Sequence, residues 1–182
     1  MTTLVARLAS MEDLPSLVAL INGVYRGPAA AARAWTTEAQ IIDGQRCDLE
    51  MLQVLHQPPA GFFLLLEERE TGRICAACHL QDCSEAVAET GMLSVALDRQ
   101  GKGLGSQLLS RAEAEAQARW RSRVMRLWVI DCRAELLAFY ARRGYRATGI
   151  YRSFPQDPRY GVPRLAGLRL MALEKNLPES DG

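Results

Sequence analysis

The sequence predicts an α/β fold, in which one mixed β-sheet carries helices on its faces. Segments of strand length, rich in branched and aromatic residues, alternate along the chain with segments whose apolar residues recur at helical spacing. The length of 182 residues suits one domain with its own hydrophobic core. We therefore expect a single domain over residues 1–177 and a disordered tail over residues 178–182.

The N-terminal segment is predicted to form a short strand followed by a capped helix. Residues Leu4–Arg7 have the composition of an opening strand. Ser10 is suited to be the N-cap of the helix, with Asp13 at the position that Glu usually takes in a capping box. Apolar residues then recur at helical spacing, at Leu14, Leu17, Val18 and Ile21.

Two further helices are expected before the first hairpin. Thr37 is predicted to cap the first of them, with Ile41 and Ile42 on its inner face. The second covers roughly Asp48 to His56. The alanine-rich stretch 29–33 shows no clear preference.

Three strands are predicted in the middle of the chain. Gly61–Glu67 and Ile74–Leu80 are strand-like, and the turn between them contains Gly72, which indicates a hairpin. The third strand lies within residues Ala86–Leu97.

The C-terminal half contains the most regular helical pattern. Apolar residues repeat every four positions between Gly103 and Arg121, and charged residues occupy the other faces, as in an amphipathic helix. The other predicted elements are a strand at Val124–Ile130, a helix at Ala134–Arg142 closed by Gly144, a strand at Tyr145–Ile150, a loop at Phe154–Pro163 and a strand at Leu165–Leu173. The element order gives a sheet of about seven strands.

Charge and hydropathy exclude several classes of protein. The formal net charge is +1, which predicts neither nucleic acid nor an anionic membrane as a partner. The longest apolar run, Phe62–Leu66, is too short to span a bilayer. Residues Met1–Arg7 lack the pattern of a secretory signal, and we expect a cytoplasmic protein. The odd number of cysteines, five, argues against a disulfide framework.

The segment from Cys75 to His79 matches the Cys-x-x-Cys-His pattern of haem attachment. With Cys83 added, a zinc site is also conceivable. The segment is predicted to be a buried strand, in which Cys75 and Cys78 point to opposite faces. We therefore expect no metal site.

The glycine-rich turn from Gln100 to Ser106 is the most informative segment. It joins a buried strand to the strongest helix, and its alternate glycines allow a ligand to approach the backbone closely. The free amides at the start of the helix, where its dipole is positive, favour a phosphate or pyrophosphate. Gln100 adds an amide donor, and Lys102 is long enough to reach an outer phosphate. The spacing fits neither a Walker loop nor the dinucleotide fingerprint.

Residues Val95–Gly105 resemble the acetyl-CoA signature of the GNAT superfamily of N-acetyltransferases, whose core Gln/Arg-x-x-Gly-x-Gly/Ala is matched by Gln100, Gly103 and Gly105. The stretch from Leu127 to Tyr145 resembles the second cofactor segment of that family, a strand and a helix that end in Tyr-x-x-x-Gly-Phe/Tyr. The element order agrees with the family over nearly the whole chain. Arg133 and Leu97 depart from the family pattern, in which Asn and Pro respectively are frequent.

The resemblance implies a sheet that is mostly antiparallel, with one splayed parallel pair of strands that end near Ala96 and Ile130. The pantetheine arm of acetyl-CoA would lie in that gap, and Tyr140 would donate a hydrogen bond to the departing thiolate. A backbone N–H of the first strand would stabilise the developing oxyanion. The residues implied for cofactor binding are Leu93, Ser94, Val95, Gln100, Gly101, Lys102, Gly103, Leu104, Gly105, Ser106, Arg133 and Tyr140.

The acceptor is expected to be the primary amine of a small molecule, which must lose a proton before it attacks. Glu89 is the candidate base, with Glu38 as the alternative. The acceptor pocket is expected to contain Tyr25, Trp35 and Glu38, together with Thr36 and Arg46, and the loop from Phe154 could close it.

Several alternatives stay open at the level of sequence. The chain could bind CoA as a sensor or scaffold without catalysis, or acetylate the amine of a peptide or protein. The identity of the amine, the use of longer acyl-CoAs and the oligomeric state are open, and a homodimer is one possibility.

Overall fold

A computed structural model describes residues 3–178. The tail predicted over residues 178–182 therefore lies outside the described residues, apart from Pro178. The strands, in chain order, are β1 (Leu4–Leu8), β2 (Ile42–Asp43), β3 (Gly61–Glu68), β4 (Ile74–Asp82), β5 (Val87–Val95), β6 (Val124–Ile130), β7 (Arg146–Ser153), β8 (Val162–Pro163) and β9 (Arg169–Asn176). The helices are α1 (Leu14–Tyr25), α2 (Pro28–Arg33), α3 (Leu49–Leu55), α4 (Leu104–Trp120) and α5 (Ala134–Ala141).

Seven strands form the main sheet, in the order β1-β3-β4-β5-β6-β9-β7. All neighbouring strands run antiparallel except β5 and β6, which are parallel. This confirms the predicted mixed, mostly antiparallel sheet with one parallel pair. The short strands β2 and β8 pair separately and connect residues near 42 with the loop near 163.

The parallel pair separates after its first residues. β5 and β6 pair only from Val87 opposite Val124 to Glu89 opposite Arg126, so the rest of β5 has no β6 partner. A bulge in β5 accompanies this change, and Met92 there has a φ of 52°. Because bulges bend the strand that carries them, the C-terminal half of β5 turns away from β6. The predicted splay is confirmed.

Helices cover both faces of the sheet, as predicted. On one face the apolar side of α4, including Leu108 and Ala112, packs on inward residues of β3, β4 and β6. On the other face α1 and α3 pack on Phe63, Leu65 and Ala77. Each strand of the centre therefore buries both of its faces, which explains the nearly continuous apolar run of β3.

The start of the first helix agrees with its sequence signal. Ser10 and Asp13 form a capping box around a short 3-10 turn at Met11–Asp13, and α1 follows directly. The backbone N–H of Ser10 donates to the Asp13 carboxylate at 2.7 Å, so one amide at the helix start finds its acceptor there. The alanine-rich stretch without a clear preference forms α2, with Pro28 in its first turn.

The predicted helix after Thr37 is wrong. The Thr37 hydroxyl donates to the carbonyl of Tyr25 at 3.0 Å, and the backbone N–H of Glu38 donates to the same carbonyl at 2.9 Å. These bonds tie the segment to the end of α1. The side chain of Ile42 then enters a small core cluster with Ile130 and others, so the chain continues as β2.

Two predictions near the C-terminus also need correction. The last strand begins at Arg169 instead of Leu165 and extends to Asn176, because its pairing with β6 continues to Val124. The predicted loop from Phe154 contains a 3-10 turn at Pro158–Tyr160 and the strand β8.

The side chains of Cys75 and Cys78 lie on the same side of the sheet, contrary to the expectation of opposite faces. Both are buried in the core cluster that packs against α4. The register between β3 and β4 shifts at Cys75, where Leu66 pairs with Ala76 and Glu67 with Ile74. An extra residue reverses the alternation of side chains along a strand, which places both thiols together.

No helix within residues 3–178 combines the length and the apolar character needed to cross a bilayer.

His79 is a buried titratable side chain that makes the stability of the fold depend on pH. It is 6% exposed, its ring lies 5.0 Å from that of Phe63, and its Nε2 lies 3.0 Å from the Leu55 carbonyl oxygen. Burial lowers its pKa to about 4, so the ring is neutral in the native protein. In the unfolded chain the ordinary pKa of about 6.5 applies.

We therefore expect the free energy of unfolding to fall as the pH drops from 6.5 towards 4, since the unfolded chain takes up a proton that the native chain does not. Between pH 7 and pH 5 the expected loss is about 2 kcal/mol. Urea unfolding at both pH values measures it, and His79→Gln should remove the part due to His79, whereas His56, whose pKa is also lowered by burial, keeps its own contribution. An equal pH dependence in the variant and the natural chain would contradict the assignment.

Candidate active site

Two cavities meet at the gap between β5 and β6. One, of about 300 Å³, extends from the glycine-rich turn to α5. The other, of about 430 Å³, lies under the loop from Phe154 and is bounded by β5 and β6. Four residues line both cavities: Tyr25, Arg133, Leu136 and Tyr140. Two ligands, one in each cavity, could therefore meet end to end at these four residues.

The glycine-rich turn forms one end of the first cavity. Gly101 and Gly103 have φ of 75° and 78°, in the left-handed region that side chains disfavour. Gly103 is the N-cap of α4, and no side chain caps this helix. The amides of the first turn are thus left without an intrahelical acceptor, as an anion site requires. A Cβ added at Gly103 would meet no atom within 4 Å, so the space above the turn is open.

The side chains of Gln100 and Lys102 both form hydrogen bonds within the protein. The Gln100 amide nitrogen donates to the Val95 carbonyl at 3.1 Å, and its oxygen accepts from the Trp35 backbone N–H at 2.9 Å. Gln100 therefore holds the turn against β5 and the segment after α2. Lys102 donates to the Asp98 carbonyl at 3.1 Å and is exposed, outside the residues that line the first cavity.

Cations surround the turn on the side of α5. The guanidinium of Arg143 stacks on the ring of Phe139 at 3.5 Å and donates through Nε to the Ser106 hydroxyl at 2.9 Å. Arg142 and Arg99 also line this end of the cavity. Positive side chains and free amides together make this the most favourable place in the cavity for a phosphate.

β5 forms the wall along the gap. Leu93 and Val95, which are predicted to contact the cofactor, line the first cavity, and the hydroxyl of Tyr25 donates to the Leu93 carbonyl at 3.2 Å. Ser94 points the other way, because its hydroxyl is bonded to the Met92 carbonyl at 2.9 Å and the residue is 1% exposed. Its contribution to this wall is therefore confined to the backbone.

Tyr140 lies where the cavities join. It is 6% exposed and packs edge-on against Phe139 and Tyr145. Within residues 3–178 its hydroxyl has no hydrogen-bond partner. Burial raises its pKa, so the phenol stays protonated and is available as a donor.

Glu89 is the carboxylate of the second cavity that has no salt bridge within residues 3–178. It lies at the point where β5 and β6 separate, and its Oε2 accepts from the indole N–H of Trp128 at 3.0 Å. The bond orients the carboxylate and leaves its other oxygen for a ligand.

Glu38 is held by two arginines. It is 5% exposed, and its oxygens lie 2.9 Å from Nη2 of Arg26 and 3.2 Å from Nη1 of Arg133. Both carboxylate oxygens of Glu38 thus already accept hydrogen bonds from guanidinium groups. Arg133 also donates to the Thr36 hydroxyl at 2.6 Å, and its buried Nε has no hydrogen-bond partner among the described residues.

The residues predicted to bind the acceptor are distributed between the cavities. Glu38 lines the second, Tyr25 lines both, and Trp35 lines only the first. The Trp35 ring is 5.7 Å from that of Phe139, and the residue is 52% exposed, so it covers the first cavity from outside.

Some lining residues were not singled out from the sequence. Leu136 and Phe139 lie within the second motif, so their place in the chain could have indicated them. Arg99 lies within the first motif as well, whereas Val24 and Arg152 carry no local signal, because their positions depend on how distant segments pack. No group of three or more metal-binding side chains occurs within the described residues.

Comparisons with known proteins match the chain to one family model and to solved structures of the same fold. The profile of the Acetyltransferase (GNAT) family matches residues 17–145. No curated protein sequence matches the chain.

Solved structures share the fold at low sequence identity. A ribosomal-protein-S18-alanine N-acetyltransferase from Escherichia coli is 16% identical with a TM-score of 0.69, over 98% of this chain and 96% of that one. A spermidine N-acetyltransferase chimera from Vibrio cholerae and hSSAT is 15% identical with a TM-score of 0.65, over 95% of each chain. A protein of Salmonella typhimurium, assigned as an acetyltransferase and solved with its cofactor acetyl-CoA, is 21% identical with a TM-score of 0.61, over 100% of this chain and 98% of that one.

Proposed function

The chain belongs to the GNAT family of acetyltransferases, and on this premise we propose that residues 1–177 form one domain that transfers the acetyl group of acetyl-CoA to a primary amine of a small molecule. The observation that carries the proposal is the continuity of the first cavity from the uncapped start of α4, through the gap beside β5, to the hydroxyl of Tyr140.

The residues present fit acetyl-CoA along this path. The open space at Gly103 and the arginines beside it suit a pyrophosphate. The unpaired edge of β5 suits the amides of a pantetheine arm, which can pair with backbone as a short strand does. When bound, acetyl-CoA supplies the acetyl group and a thiol leaving group.

This chain's own groups would then act at two atoms. A backbone N–H of the β5 edge donates to the thioester oxygen and stabilises the charge that develops there. Tyr140 donates to the sulfur as the carbon–sulfur bond breaks. Because its pKa is raised above that of a thiol, hydrogen-bond donation describes this role better than full proton transfer.

Glu89 is the base in this proposal. It lies in the second cavity with one carboxylate oxygen directed by Trp128, and it can take a proton from the acceptor ammonium directly or through water. Glu89 is preferred to Glu38 because both carboxylate oxygens of Glu38 already accept from arginines.

Glu89→Gln should lower kcat by about 100-fold near neutral pH. This value is at the lower end of the range for loss of a general base, because water can take over part of the proton transfer. Glutamine keeps an acceptor for the Trp128 indole, so the change removes mainly the charge. The deficit should shrink as the pH approaches the pKa of the amine. Glu115→Gln, on the exposed face of α4, is the control, and equal kcat values for both variants would remove Glu89 from the mechanism.

The function itself is tested by calorimetry with acetyl-CoA and by thiol release with amines. The amine panel should contain amino acids, polyamines, an aminoglycoside and a peptide with a free N-terminus. Binding together with thiol release by a small amine supports the proposal. Binding without release by any amine would instead favour a sensor or scaffold, and release by the peptide alone would favour a protein acceptor.

A further inference from the structure

The second cavity contains more arginine than its carboxylates neutralise. Its charged lining residues are Arg26, Glu38, Arg46, Glu89, Arg133, Arg152 and Arg159, with His79 as a further titratable group. Burial lowers the pKa of His79 to about 4, so this ring carries no charge near neutral pH. The charge of the cavity is therefore decided by how the other side chains pair.

Three of the arginines have partners. Arg26 and Arg133 share the buried carboxylate of Glu38. Arg159 is bound by Asp48 at 2.6 Å and Glu50 at 2.9 Å, both outside the cavity. Within residues 3–178, neither Arg46 nor Arg152 lies within 4.0 Å of a carboxylate.

The guanidinium carbons of both arginines lie over aromatic rings of the cavity. Arg152 reaches from β7 across β9 and stacks on Trp128 at 4.1 Å, and Trp128 in turn donates to Glu89. Arg46 lies over the ring of Tyr25 at 5.5 Å, beside the point where the cavities join. A guanidinium that contacts a ring in this way does not use its N–H groups for that contact, so they stay available for an anion.

The three charged side chains for which the described residues provide no salt bridge, Arg46, Arg152 and Glu89, line the same cavity. Burial is the main cause that lowers the pKa of Arg152, the charge of Arg46 lowers it further, and the charge of Glu89 opposes the change. Arg46 and Arg152 thus face the same cavity as Glu89, with two positive groups and one negative group left to meet a ligand.

We propose that the acceptor is a zwitterion: its amine lies beside Glu89, and an anionic group on the same molecule is bound by Arg46 and Arg152. This inference rests on the proposed function. A carboxylate, phosphonate or phosphinate can accept two parallel N–H bonds from a guanidinium. A polyamine or an aminoglycoside would bring further positive charge against two unneutralised arginines, which disfavours both.

Matched acceptors test the proposal. Initial rates of thiol release are measured for the common L-amino acids, and then for the decarboxylated amine and the α-aminophosphonate of each amino acid that reacts, with spermidine and kanamycin as cationic acceptors. We expect kcat/KM to be about 100-fold lower without the anionic group, as expected for loss of a charge-assisted pair. The carboxylate and phosphonate arms show which anion the site prefers.

Variants assign the effect to the two arginines. Arg46→Gln and Arg152→Gln should each raise KM for the anionic acceptor by about 10-fold or more, while KM for acetyl-CoA stays unchanged. Arg152→Lys should lose less, because it keeps the charge. Arg111→Gln, on the exposed face of α4, is the matched control, and thermal unfolding verifies that each variant is folded.

Different failures have different meanings. Equal or faster turnover of spermidine, kanamycin or the decarboxylated amines would overturn the zwitterion and leave the transferase standing. Variants that keep the discrimination between an amino acid and its decarboxylated amine would overturn it as well. Absence of acetyl-CoA binding would overturn the proposed function. In that case, calorimetric titration of the amino acids into the natural chain and into the Arg46→Gln variant tests separately whether Arg46 binds their anionic group.

Discussion

Replacing Gly103 with tryptophan should lower the affinity for acetyl-CoA by at least about 100-fold, the equivalent of 2.7 kcal/mol. Gly103 has a φ of 78°, so a side chain there adds strain of about 1–2 kcal/mol to the native turn. The indole would also project into the open space above the first turn of α4, where the pyrophosphate is expected. Each charge-assisted hydrogen bond that is lost costs about 1.5–3 kcal/mol.

Calorimetric titration with acetyl-CoA measures this effect, with Gly72→Trp as the control. Gly72 also has a positive φ, 67°, and open space around its Cβ position, but it lies in the turn between β3 and β4. The Gly72→Trp variant should have the same backbone strain and keep the natural affinity for acetyl-CoA. Equal affinities of the two variants would show that the turn at Gly103 does not bind the phosphates.

The second large effect is expected from Tyr140→Phe, which should reduce kcat by about 100- to 1,000-fold, the range for loss of a positioned proton donor. The change removes one oxygen and keeps the ring that packs against Phe139 and Tyr145. No other residue among those described is bonded to this hydroxyl, so the variant leaves no internal partner unsatisfied. The dissociation constant of acetyl-CoA should therefore stay nearly constant.

Tyr145→Phe is the matched control for this measurement. Its ring lies 5.7 Å from that of Tyr140, but its hydroxyl donates to Glu113 at 2.9 Å, away from both cavities. We expect this variant to lose stability and to retain kcat. A pre-steady-state measurement of thiol release separates chemistry from product release, and an unaltered rate in Tyr140→Phe would exclude the phenol from the reaction.

Local patterns in the sequence were sufficient for most of the fold. Hydrophobic periodicity located β3, β4, β6 and α4 to within a few residues, because burial of one face is a property of neighbouring residues in the chain. The prediction was wrong at Thr37, where the chain is held by bonds to the end of α1. A capping residue and two apolar residues are common to helix starts and to turns, so this signal alone could not decide.

In the candidate site, too, some features follow from local sequence patterns and others depend on contacts between distant segments. The glycine-rich turn and Tyr140 follow from motifs in which the residues that act together are close in sequence. Arg46, Arg152 and Glu89 come from three distant segments, and only the sheet order brings them to one cavity. The pairing of Glu38 with Arg133 could not be predicted from local patterns, since Arg133 is 95 residues away in the chain.

The sequence by itself determined the family, most of the order of the elements and the place of the glycine-rich turn, because glycines, helix starts and apolar periodicity act over a few residues. The tertiary structure alone decided how far β5 and β6 separate, which carboxylate is neutralised and which arginines are left for a ligand. Charge pairing depends on distances of a few ångströms between side chains of different segments, and those distances are set by strand register and loop path, which local patterns do not encode.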